Sequence, residues 1–111
     1  MSNRYGLPEA EVDRVRMRDT LCVYCHKRMF TPDPGVPRGD WATIEHLNHL
    51  PPSNNPRTIA ICCGSCNSSR GRRLILAWFA SAYCTERNIS PATVAKPVLD
   101  YIREFEGFSG R

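Results

Sequence analysis

The sequence predicts a small α+β domain closed around a metal ion, and three observations predict it. Two C-x2-C pairs, Cys22/Cys25 and Cys63/Cys66, bracket the middle of the chain. Two β-type stretches, Trp41 to Leu47 and Arg57 to Cys62, lie between the first pair and the second. Helical patterns stand on either side of this unit, giving an N-terminal helix and a helical C-terminal region.

The elements follow in order. Pro8 to Thr20 reads as a short amphipathic helix, with proline at its start, acids in its first turn and Val12 and Val15 as its apolar stripe. The pattern extends that stripe to Met17 or Leu21 and packs the helix on the knuckle formed by the two cysteine pairs. CVYC forms a tight turn and HKRMF a short strand. Thr31 to Asp40, with three prolines and two glycines, must be a loop. The stretches Trp41–Leu47 and Arg57–Cys62 pair as a hairpin around a second loop, His49 to Pro56. From Cys66 the pattern turns helical, with Gly71 as a weak point or bend. Leu74 to Arg87 reads as one helix with a broad apolar face, a core face or a dimer contact. Ser90-Pro91 then reads as the cap and first residue of a last helix that runs towards Phe105, with Pro97 starting it or kinking it.

At 111 residues this is one domain, small enough for a structural metal to help materially. Its net charge of +4 suits a polyanionic partner without requiring one. No apolar run is long enough to span a membrane, and MSNRYGLPEAE lacks the apolar core of a signal peptide. Six cysteines in such a chain point to metal binding in a reducing, cytoplasmic compartment, against a disulfide-stabilised secreted domain.

Four thiolates from the two C-x2-C pairs complete a closed tetrahedral zinc site with no open position, so this metal is structural. Cys62 competes with Cys63, but Cys62 to Cys66 would give the less usual C-x3-C. Cys84 reads as a buried core thiol, and His26 as a bystander next to Cys25. The 37 residues between the pairs exceed ordinary ribbon spacing, so a further segment is inserted there, and it holds Glu45 and His46.

CVYC, then TIEHL, then CCGSCNSSRG resemble the HNH nucleases, the zinc-bearing branch of the ββα-metal fold. The resemblance covers Cys22 to about Arg73. It implies one HNH domain over residues 1–111, with a core of about 20–73 and a helical extension over 74–106. It further implies that His46 is the general base, that Glu45 and Asn67 hold a catalytic Mg²⁺ or Mn²⁺, and that DNA, with RNA as the alternative, is the substrate. The family's middle Asn falls where Thr58 stands here, a departure that Asn54 or Asn55 could offset.

The chemistry is coherent by itself. Carboxylate and amide oxygens are hard ligands suited to such a cation. An imidazole titrates near neutrality and can serve as base. A helix starting near Asn67 would offer N–H groups to a phosphate. Arg70, Arg72 and Arg73 read as phosphate contacts or as a solvated charged face, with Arg57 a weaker candidate. His49 reads either as a residue reaching the scissile phosphate or as an exposed loop residue. The rival to the nuclease is a non-catalytic zinc module that binds nucleic acid or protein. Monomer and homodimer both remain open.

Overall fold

The computed structural model describes residues 8–48 and 56–110. Helix α1 (Glu9–Arg18) follows Pro8, which takes the cap position one residue before the helix. Glu9 and Glu11 in its first turn and Arg16 and Arg18 in its last complement the helix dipole. Val12 and Val15 are buried as expected, but Met17 and Leu21 are exposed and do not extend the stripe. The valines pack on Ile59 and Ile61 of the second strand, so α1 seats on the hairpin and not on the cysteine turn. Asp19 secures that seat: its Oδ2 accepts the Ile61 N–H at 2.9 Å, and Arg18 bridges it to the Ile59 carbonyl.

The Cys22–Cys25 turn is closed by the His26 N–H donating to the Cys22 carbonyl at 2.9 Å. His26 there adopts φ 65°, a left-handed conformation that a histidine tolerates better than a β-branched residue would. The expected strand HKRMF is reduced to isolated bridges, Leu21 with Arg28 and Phe30 with Trp41. The proline-rich loop follows as predicted and ends in a single 3₁₀ turn, Arg38–Asp40.

Strands β1 (Ala42–His46) and β2 (Ile59–Cys63) form the expected antiparallel hairpin, in a register that pairs Thr43 with Cys62, Glu45 with Ala60 and His46 with Ile59. Alternation divides the two faces. Ala42, Ile44, Ile59 and Ile61 join the valines of α1, whereas Leu47, Ala60 and Cys62 enter the larger core. The Leu47 N–H donates to the Thr58 carbonyl at 2.9 Å and closes the base of the connection, which a second 3₁₀ turn, Pro56–Thr58, re-enters.

Helix α2 (Gly64–Arg70) begins directly after β2, earlier than the sequence suggests. Glycine is required at its first position, because a Cβ on Gly64 would lie 2.0 Å from the Arg38 carbonyl oxygen. Gly71, at φ 56°, terminates it. The single helix predicted over 74–87 is two: α3 (Ile75–Trp78) and α4 (Ala82–Arg87). Ser81 separates them by capping α4, its side chain accepting the Cys84 N–H. Ser90 and Pro91 belong to a turn, and the last helix, α5 (Lys96–Phe105), starts five residues later with Pro97 in its first turn. Glu106, just past α5, accepts the Ile75 and Leu76 N–H groups at 3.0 and 2.9 Å and caps α3 from a distance in sequence.

The main core joins Cys22, Val23 and Tyr24 to Trp78, Val98, Tyr101 and Ile102. The apolar face of 74–79 therefore faces inward through Ile75 and Trp78, with Leu74 exposed. Among the described residues, no helix is long and apolar enough to cross a membrane.

Candidate metal centre and adjoining polar cluster

The hairpin delivers Cys63 to the start of α2, and the turn before it presents Cys22 and Cys25. The thiol sulfurs of Cys22, Cys25, Cys63 and Cys66 all lie within 4.8 Å of one another, a geometry that can hold a metal ion such as zinc. Backbone groups already point at these sulfurs: the Cys63 N–H donates to Cys22 Sγ at 3.3 Å and the Cys66 N–H to Cys63 Sγ at 3.4 Å. The Tyr83 hydroxyl donates to Cys66 Sγ at 3.2 Å, and Arg87 lies over the Tyr83 ring at 3.7 Å. Such donors delocalise thiolate charge and fix the ligands in place.

All six cysteines are free thiols in this fold. Cys62 is fully buried in the main core, where burial pushes its thiol pKa well up, so it is no competitor of Cys63. Cys84 is a buried core thiol as expected. His26 instead meets the Thr93 carbonyl.

A second polar cluster lies where β1 faces α2. Glu45 is 3% exposed, and its Oε2 accepts from the Tyr24 hydroxyl at 2.7 Å and from Arg70 Nη1 at 3.1 Å. Burial pushes the Glu45 carboxyl up, and the Arg70 charge and the Tyr24 O–H pull it back. Burial, followed by the Glu45 charge, pushes the Tyr24 phenol well up. Asn67, one turn before Arg70, donates through Nδ2 to Thr43 Oγ1 at 3.0 Å and to the Ile44 carbonyl at 3.3 Å. Glu45 and Asn67 thus share the α2 side of β1. His46 ends the strand on the alternate face, with its Nε2 buried.

Arg70 is the correction that matters most. Expected as a phosphate contact, it is 0% exposed. Its guanidinium donates to Glu45 Oε2 and to the carbonyls of His46 at 2.9 Å, Leu47 at 2.7 Å and Arg73 at 2.7 Å. A group so enclosed cannot meet DNA; it anchors the end of β1. Arg72 and Arg73 are exposed, and Arg73 also donates to the Ser69 carbonyl. Arg57 is exposed and ion-paired with Glu104. His49, Asn54 and Asn55 lie outside the described residues. The early start of α2 brings a second correction: Asn67 sits inside the helix, and the Cys66 N–H of the first turn serves the Cys63 sulfur instead of a phosphate.

Sequence reasoning missed Tyr24, Thr43 and Tyr83. Only Tyr24 carried a signal, being an aromatic with a polar tip inside a cysteine turn. No family model matches the chain, and neither the curated proteins nor the solved structures contain a match.

Proposed function

We propose that this chain is a zinc-stabilised HNH-type endonuclease that hydrolyses phosphodiester bonds of DNA. The observation that carries the reading is the β1–β2–α2 order, with the second cysteine pair at the β2–α2 junction, Glu45 and Asn67 on the α2 side of β1, and His46 next to Glu45 at the strand end. Asn67 uses its amide N–H groups on Thr43 and Ile44, which leaves the amide oxygen as the donor to a cation. With a carboxylate oxygen of Glu45, it makes a hard donor pair that fits Mg²⁺ or Mn²⁺. When bound, such a cation polarises the phosphoryl group and offsets charge on the departing 3′ oxygen.

The chain's own residues supply the rest. His46 takes the proton from the attacking water. Arg70 holds the backbone carbonyls of His46 and Leu47 and so fixes the strand end from which the imidazole projects. Arg72 and Arg73, on the exposed turn after α2, meet backbone phosphates.

The test is incubation of zinc-loaded protein with supercoiled plasmid, with and without Mg²⁺ or Mn²⁺, beside His46→Ala. Metal-dependent nicking or linearisation that falls by about 10²-fold or more in the variant is the expected result. Equal cleavage by both proteins would exclude His46 as the base. One observation favours the rival reading, a non-catalytic zinc module: Arg70 and Tyr24 already occupy Glu45 Oε2, and that side chain is only 4% exposed. DNA binding without cleavage by either protein would decide for it.

A further inference from the structure

Away from the cysteines, α1, the turn before β2 and α5 enclose a cavity of about 620 Å³. Cations reach it from all three elements: Arg18 from α1, Arg57 from the turn, and Lys96 and Arg103 from α5. Two carboxylates, Asp100 and Glu104, also line it, each joined to one of those cations in a solvent-exposed pair. Exposed pairs of this kind contribute little and exchange readily for another anion. Among the described residues Arg103 pairs with no carboxylate; its Nε donates to the Gly110 carbonyl at 3.2 Å. The ring of Tyr101, stacked on Phe105 at 5.0 Å, supplies an aromatic wall.

The position of the cavity gives it meaning. Ile59 pairs with His46 across the hairpin, Arg18 Nη2 donates to the Ile59 carbonyl at 3.1 Å, and Arg57 stands two residues before Ile59. The groove therefore opens at the end of the hairpin that carries His46.

We infer that this groove binds the phosphodiester backbone of a nucleic acid strand and leads it to the His46 end of the hairpin. With Arg18 already paired to Asp19, Arg57, Lys96 and Arg103 stand against two carboxylates, a net positive lining that favours a polyanion, and the spread of cations over three elements follows an extended ligand better than a single point charge. The inference rests on the proposed function only in taking nucleic acid as the ligand. It assigns that contact to Arg18, Lys96 and Arg103 beside Arg57, a surface distinct from Arg72 and Arg73.

The test is fluorescence anisotropy of the zinc-loaded full chain with a short labelled DNA duplex, over a range of salt concentrations. Lys96→Gln combined with Arg103→Gln changes two exposed side chains on α5 that the fold does not need. Arg16→Gln combined with Arg28→Gln makes the same charge change elsewhere, at side chains outside the groove and the metal centre. The groove variant is expected to bind about tenfold or more weakly, with the slope of log affinity against log salt reduced by about 2, while the control keeps its slope. Equal weakening in both variants, wild-type binding by the groove variant, no binding by the wild type, or competition by polyglutamate as effective as by unlabelled duplex would each overturn the inference. Plasmid cleavage by the same proteins separates the two claims. Cleavage that needs His46 together with unchanged binding by the groove variant would remove the groove and leave the nuclease. A groove-dependent salt slope without any cleavage would support the groove and remove the nuclease.

Discussion

Replacing Arg70 by methionine is the most informative perturbation of this fold. The substitution keeps much of the buried volume but deletes a guanidinium that serves Glu45 and the carbonyls of His46, Leu47 and Arg73. Removing one partner of a buried ion pair costs about 3–5 kcal/mol, because the other charge is left uncompensated. A domain of this size has about 5–15 kcal/mol in total, so the variant should sit near the edge of folding. Urea unfolding with zinc in excess, followed by the fluorescence of Trp41 and Trp78, measures the loss. The pH dependence supplies a check on cause. Without Arg70 the carboxyl of Glu45, already raised by burial, rises further in the folded state. A raised carboxyl favours the folded state most at low pH and loses that advantage as pH climbs through the folded value. The deficit of Arg70→Met should therefore shrink below about pH 4, where the unfolded glutamate is also protonated, and be full at neutral pH. Glu45→Gln added to Arg70→Met should recover much of the neutral-pH loss. A loss under about 1 kcal/mol, or a deficit independent of both pH and Glu45, would refute the assignment of Arg70 as a buried anchor.

Two other outcomes concern the metal. Chelation should unfold the chain, since structural zinc supplies about 10–16 kcal/mol in small zinc domains, as much as the whole domain's stability. A thermal transition unmoved by chelator would remove the metal from the fold. Tyr83→Phe deletes the hydroxyl that donates to Cys66 Sγ and should weaken zinc retention about tenfold in a chelator competition, with the far-UV spectrum unchanged. Unaltered retention would mean that the bond carries nothing for the metal.

The cysteine centre was legible because its information is local: each C-x2-C is a complete half-site, and spacing alone selects Cys63 over Cys62. The hairpin was legible for the same reason, since β-type residues between loop signals need no distant partner. Arg70 was not. In sequence it belongs to a basic cluster, and only the fold shows that the end of β1 arrives above it with two carbonyls and a carboxylate. The break between α3 and α4 was missed because an apolar run dominated a single serine, although Ser81 is a good cap. Of the two starts read for the last helix, the one at Pro97 holds, because the chain spends the cap signal of Ser90-Pro91 on a turn, with Ser90 Oγ accepting the Ala92 N–H. In each case the sequence offered the right residue, and tertiary contacts chose its use.

The Ala95 N–H, at the entrance to α5, donates to the Val23 carbonyl inside the first cysteine turn at 2.9 Å. That bond stitches the final third of the chain to the loop that holds the metal. The helices after Gly71 therefore behave less as an appendage than as the lid of a box whose hinge is the zinc turn. Trimming the chain to residues 20–73 would expose Tyr24 and Ala60 to water and leave the Val23 carbonyl without this donor. Grafting the cysteine cluster alone into another scaffold would inherit that vacancy, so the portable unit is the hairpin and α2 together with the C-terminal helices.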